Sequence, residues 1–308
     1  MLEPACTLIV DSCCDLPYTA LEDDGVLLLQ FPFLIEGVEL YDDLYRSITA
    51  HEFYEYMRKG SQPSTMQITM PALTEAFEKA LELGKPTVYL SFTSGLSGSF
   101  DTACLVRDAF VADHPGFELY VVDTKLASIA EGVLVLEALR QRNKGLSAAE
   151  LAAWAEEARF FVNEEFMVDD LESLRRGGRI PTTVAVAGGK LDVKPLLTIS
   201  LDGKLAIDGV ARGRKKGLRR LAEHFEKHRV PGETNEVLIG CSDCQKDVAR
   251  LKSEIERIDE SAMVLATSIG PVIGSHVGPG MVAIAYMGGD ARDDLSLSDR
   301  IARKIKGR

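Results

Sequence analysis

No stretch of this 308-residue chain approaches the ~18–20 consecutive apolar residues that a membrane-spanning helix needs. The longest apolar segment, Val26 to Ile35, is interrupted by Gln30 and Pro32. Basic residues are missing from the start. Met1-Leu2-Glu3-Pro4-Ala5-Cys6 precedes an apolar run, Thr7 to Val10, that is too short for the core of a secretory signal. A soluble, cytosolic protein is the expectation. Positive charge is scarce: 35 Lys and Arg face 47 Asp and Glu, for a formal net charge of −12. Such an excess repels nucleic acid and anionic membrane surfaces. The six cysteines (Cys6, Cys13, Cys14, Cys104, Cys241, Cys244) are scattered, unlike the disulfide framework of a small secreted chain. Cys241-Ser242-Asp243-Cys244 has CxxC spacing, but no second Cys or His pair follows to complete a zinc site. Packed thiols are expected there, with a thioredoxin-like turn after a strand as the alternative. Repeats and low-complexity segments are also lacking.

What is present is an ordinary globular composition, 46% hydrophobic and 27% charged. The length favours two domains over one large α/β domain. In the first half, short apolar strands (Thr7 to Val10, Thr87 to Phe92, Phe117 to Val122) alternate with helical patterns at Ala72 to Leu83, Phe100 to Ala112 and Ile129 to Arg140. That alternation predicts a parallel sheet covered on both faces. In the second half, helices are expected over Ala148 to Ala158 and Ala211 to His228. Leu196 to Leu201, Asp202-Gly203 and Lys204 to Ile207 read as a hairpin with a two-residue turn. Strands are expected near Val237 to Gly240, Ala262 to Thr267 and Met281 to Met287. The second half is therefore α+β with an antiparallel pair. A boundary between Lys144 and Glu165 divides the chain into residues 1–160 and 161–308.

Polar residues follow each early strand: Asp11-Ser12, Thr93-Ser94 and Asp123-Thr124. Ligands of open parallel sheets bind beyond the strand carboxyl ends, although the same residue types also cap helices. The turn Thr93-Ser94-Gly95-Leu96-Ser97-Gly98 suits a carboxylate or phosphate, because glycines admit the ligand and a helix N-terminus offers free N–H groups. It is neither a Walker loop nor a nucleophile elbow. Gly60 to Gln67 is a second hydroxyl-rich turn. Ile269 to Gly280 holds four glycines, two prolines and His276, and reads as a stiffened loop at a ligand edge. Basic clusters at Arg175-Arg176-Gly177-Gly178-Arg179 and Arg212-Gly213-Arg214-Lys215-Lys216 suit carboxylates, phosphates or a protein partner. One alternative is a serine hydrolase using Ser94 or Ser97 with His276 and Asp123, in the chain order of α/β-hydrolases. Another is an interaction module built on the basic clusters.

Seven segments in order, from Ile9 to about Gly288, resemble the DegV family of bacterial fatty-acid-binding proteins. They are Asp11-Ser12 with Asp15-Leu16-Pro17, Ser61-Gln62-Pro63-Ser64, the Thr93 to Gly98 turn, Val122-Asp123-Thr124-Lys125, Leu174 to Ile180, Lys194-Pro195-Leu196, and Gly270 to Gly280. Gly60 stands where many members have threonine, and Thr93 replaces a serine. The resemblance implies an N-terminal three-layer α/β/α domain with a parallel sheet and a C-terminal two-layer α+β domain with a mixed sheet. It also implies a long-chain fatty acid held between them. Its carboxylate would meet Ser61, Thr93, Ser94, Gly95 and His276. Arg176, Arg179 and Arg212 would contact a partner kinase or its phosphate, which makes an acyl phosphate for lipid synthesis. The resemblance implies no catalytic residue, metal or cofactor beyond the bound acid.

Overall fold

A computed structural model of the chain describes residues 3–181, 192–232 and 236–293. The chain opens with β1 (Thr7–Asp11), five wholly buried residues with no polar alternation, as a strand covered on both faces requires. Strand β2 (Val26–Leu29) follows, then a hairpin of β3 (Pro32–Ile35) and β4 (Val38–Tyr41). Its two turn residues, Glu36 and Gly37, both have positive φ, as a two-residue turn between twisted strands demands. A reciprocal cap between Thr49 and Glu52 starts α1 (Ala50–Arg58). After β5 (Ser64–Thr65), Thr69 caps α2 (Met70–Glu82). Then come β6 (Thr87–Ser91), α3 (Ser99–Asp113), β7 (Leu119–Asp123), α4 (Ile129–Asn143) and α5 (Ala148–Ala158). The first sheet has the order β2-β1-β6-β7 and is parallel throughout. Helices α2 and α3 pack on one face through Phe77 and Phe110; α4 and α5 cover the other.

The second half contributes β8 (Val162–Met167), α6 (Glu172–Arg176), β9 (Val193–Ile199), β10 (Leu205–Arg212), α7 (Arg214–His228), β11 (Glu236–Cys241), α8 (Gln245–Ile258), β12 (Met263–Ser268), α9 (Pro271–Val277) and β13 (Val282–Met287). Its sheet is mixed, with the order β10-β9-β8-β13-β11-β12 and only β11–β12 parallel. Helices α7 and α8 cover one face. The other face packs on α4, so one helix lies between the two sheets. The largest apolar cluster is accordingly shared, running from Leu8 and Val88 through Leu134 to Phe166 and Ala283.

The parallel first sheet and mixed second sheet agree with expectation; several local readings change. The predicted 211–228 helix begins at Arg214, because Ala211 and Arg212 still pair with Lys194 and Val193. The hairpin turn is wider than Asp202-Gly203, closing with Ser200 N–H on Lys204 O. The Ile269 to Gly280 segment is not a loop throughout, since Pro271 starts a short helix that carries His276. A small sheet, β4-β3-β5, was not anticipated, nor was β8.

Buried carboxyls gather beyond β1. Asp11, Asp15, Asp42 and Glu131 are all within 1% of full burial. Burial pushes Asp11 and Asp15 up to about 7 and raises Asp42 and Glu131 well above the carboxylate range. Asp15 joins the halves. Its Oδ2 accepts from the Ser128 hydroxyl at 2.5 Å and its Oδ1 from Gly270 N–H at 2.8 Å. The hydroxyls of Tyr45 and Tyr54 add bonds to Ile269 O, at 2.6 and 2.8 Å. Asp15→Ala should destabilise the fold by roughly 2–4 kcal/mol at pH 5, by leaving buried donors unpaired. The native carboxyl titrates above its unfolded value, so this group's stabilisation fades as pH rises from about 4 through 7. The gap to wild type should therefore narrow at pH 8. Urea unfolding at both pH values checks this, and an equal or wider gap at pH 8 contradicts the assigned protonation.

Candidate functional site

Between the sheets lies a cavity of about 280 Å³, near the lower end of the ~300–1,000 Å³ of ligand pockets. Its position follows from topology. Cys13 lies just past the end of β1, Phe92 just past β6, and Ala127 on the segment between β7 and α4. These are strand carboxyl ends, where open parallel sheets bind ligands. Phe166, Ile199, Leu205 and Ala283 of the second sheet close the opposite wall. Phe31 and Phe92 meet edge to face at 6.1 Å. Most of this lining is apolar, which suits a hydrocarbon better than a polar group.

The cavity also has a polar margin of Thr65, Gln67, Ser97, Arg179 and His276. Strand β5 places Thr65 by pairing it with Phe33, and α9 places His276 opposite. His276 Nε2 and Thr65 Oγ1 are 2.9 Å apart, while the buried Nδ1 has no hydrogen-bond partner. Burial, then the charges of Arg179 and Arg176, pushes the imidazole pKa down to about 4. The ring is therefore neutral at pH 7. Arg179 donates to Leu96 O at 3.3 Å and Gly177 O at 2.6 Å, and burial holds its pKa below the usual guanidinium range. Arg176 donates to Ser173 Oγ at 3.3 Å. Among the described residues neither guanidinium has a carboxylate partner. Two guanidiniums without a carboxylate partner among the described residues, one of them on the cavity wall, have the chemistry to pair with an anion.

The expected carboxylate residues occupy different positions. His276 lines the cavity; Ser61, Thr93, Ser94 and Gly95 do not. The Ser94 hydroxyl accepts from Lys125 Nζ at 2.7 Å, and its N–H donates to Asp123 Oδ1 at 3.1 Å. Thr93 Oγ1 donates to Gly203 O at 2.9 Å, tying the turn to the tip of the β9–β10 hairpin. Gly95 packs against the same tip, where an added Cβ would lie 2.2 Å from Gly203 O. Ser61 N–H closes the end of α1 on Tyr56 O. Of the Thr93 to Gly98 turn, it is Leu96 and Ser97 that reach the wall. Arg179, expected at a partner surface, lines the cavity, whereas Arg212 stands exposed at the end of β10. Thr65 and Gln67 were not singled out, although they belong to the hydroxyl-rich 60–67 segment.

The hydrolase arrangement is not assembled. Burial would raise the Asp123 carboxyl, but hydrogen bonds from Lys125 and Ser94 outweigh it and leave it below its usual range. Asp123 pairs with Lys125 at 2.7 Å, His276 faces Thr65, and Ser97 Oγ bonds Ser99 Oγ at 3.0 Å. Among the described residues no serine hydrogen-bonds the His276 ring. Cys241 ends β11 and Cys244 precedes α8, and both are free thiols. A shared hydrogen bond from Cys244 brings Cys241 down to about 7.

His276 keeps its place because residue 177 has no side chain. A Cβ there would fall 2.2 Å from Nδ1. Gly177→Ala should push the ring off Thr65 and raise its titration midpoint from about 4 toward the ordinary ~6.5. An NMR pH titration reads this directly, and an unchanged midpoint would contradict the packing described.

Comparison with known proteins places this geometry in context. Residues 5–288 match the family described as uncharacterised proteins, DegV family. A DegV domain-containing protein of Clostridium perfringens is 34% identical over 281 residues, covering 91% of this chain and 97% of that relative. A DegV family protein of Thermus thermophilus, whose structure is described by its fatty acid binding, superposes with a TM-score of 0.81 at 30% identity, over 92% of this chain and 99% of that one. A DegV lipid-binding protein of Thermotoga maritima gives 0.79 at 26% identity, over 92% and 98%. With a match over nearly its whole length, the chain belongs to the DegV family.

Proposed function

We propose that this protein binds a long-chain fatty acid between two domains, residues 1–160 and 161–308, and presents the carboxylate to a partner kinase. The observation that carries the reading is the apolar cavity with Arg179 and the neutral His276 ring on its wall, Arg179 being a cation without a carboxylate partner among the described residues. The solved relatives described as binding fatty acid or lipid support it. The energetics suit a carrier. Burying fourteen methylenes at ~0.8 kcal/mol each yields roughly 11 kcal/mol before entropic costs, so the tail supplies affinity and the polar margin sets orientation.

The head contacts in this proposal are Thr65, Ser97, Arg179 and His276. Ser94 joins by exchanging the Lys125 ammonium for the ligand carboxylate, with Ser61, Thr93 and Gly95 shaping the turns behind it. The chain itself is then a carrier that supplies no catalytic group. In the cytoplasm, a partner kinase would bring a nucleoside triphosphate. A carboxylate oxygen attacks the terminal phosphorus, the nucleoside diphosphate leaves, and an acyl phosphate remains in the carrier. Arg176 and Arg212 are the contacts assigned to the partner or the transferred phosphate.

Organic extraction of the purified protein, followed by mass spectrometry, should release a stoichiometric acyl chain. A delipidated sample should take up added fatty acid. Arg179→Ala should weaken that uptake about tenfold or more, the cost of losing a charge-assisted hydrogen bond. Leu205→Trp, at a half-buried position on the cavity wall, should weaken uptake while keeping the fold by circular dichroism. Failure to release or bind any fatty acid would overturn the proposal.

A further inference from the structure

One cavity residue has no part in the head site. Strand alternation puts Val162, Glu164 and Phe166 on the same face of β8, and both Glu164 and Phe166 line the cavity. Glu164 is 8% exposed. Its Oε1 accepts from Ile199 N–H at 2.9 Å. Among the described residues nothing else hydrogen-bonds this carboxyl, and no cation pairs with it. Its neighbours on the cavity wall include Phe166, Ile199, Leu205 and Ala283, and it also borders a second, more polar pocket shared with Lys125, Arg159 and Lys227. Simple packing would favour an aliphatic residue here, because burying a carboxyl with a single hydrogen bond is costly.

Burial pushes the Glu164 pKa up to about 8, so the group is mainly a neutral acid at pH 7. A protonated carboxyl has an O–H donor and spare acceptor capacity. A methylene tail satisfies neither. A hydroxyl on the tail satisfies both, since it accepts and donates through one oxygen. Ser128 is a second oxygen on the wall. Its proton goes to Asp15, which leaves its lone pairs for a ligand donor.

Resting on the fatty-acid reading above, we propose that Glu164 makes the cavity selective for acyl chains bearing a hydroxyl group along their length. The ligand class is a hydroxy fatty acid, with the carboxylate at the Arg179–His276 end and the hydroxyl at Glu164.

The test is competitive binding at pH 7 to the delipidated full chain, comparing stearic acid with a set of mid-chain hydroxystearic acids. Wild type should favour at least one hydroxylated isomer by about tenfold, the value of one well-placed hydrogen bond. Glu164→Leu should bind stearic acid at least as tightly and lose that preference. Glu164→Gln retains a donor and an acceptor and should keep part of it, which covers the case in which the leucine variant does not fold. Wild type binding stearic acid as well as every hydroxylated isomer would overturn the inference and leave fatty-acid binding standing. So would a preference that survives in Glu164→Leu. Binding of no acid at all would overturn both.

Discussion

Helix α4 has to serve two sheets at once. Its first seven residues, Ile129 to Val135, are all buried: one side packs under β1 and β6, the other against β8, β11 and β13. Close approach is built into it. A Cβ at Gly132 would lie 2.6 Å from Cys14 O, so the helix start sits directly on the turn after β1. The cavity sits at the start of this shared helix, where Ser128 and Ile129 form part of its wall and the two sheets close the rest.

The polar margin obeys the same economy of packing. His276 is held between the Thr65 hydroxyl and the bare backbone of Gly177. Arg179 is pinned by two backbone carbonyls, which orient the guanidinium without neutralising it. Carbonyl anchors leave the full charge available, whereas an internal carboxylate would have cancelled it. That choice separates this arginine from Arg214, whose charge is spent on Asp169 and Asp247.

Sequence patterns revealed the parallel sheet because β1 and β6 are buried on both faces and carry nearly continuous apolar runs. The same criterion hid β8, where Glu164 and Glu165 break the apolar pattern although both are buried. Helix α9 was hidden by its own composition. Gly274 looks like a loop residue, yet it is there because a Cβ would lie 2.5 Å from the Tyr54 hydroxyl. At the site, His276 and the hydroxyl-rich turns were visible as residue types in an ordered set of motifs. Which hydroxyl faces the cavity was not. That depends on Lys125 engaging Ser94 and on β5 pairing with β3, contacts between segments distant in sequence.

The buried carboxyls change how acidic the molecule is in solution. Asp11, Asp15, Asp42, Glu131, Glu164 and Glu165 are all driven upward, four of them to about 7 or 8. The formal charge of −12 and the sequence isoelectric point near 5.0 count each as an ordinary surface acid. The folded protein keeps protons on these groups, so its surface presents a smaller negative charge. Unfolding releases those protons, which makes the unfolded chain the more acidic state and couples folding to proton uptake across the neutral range.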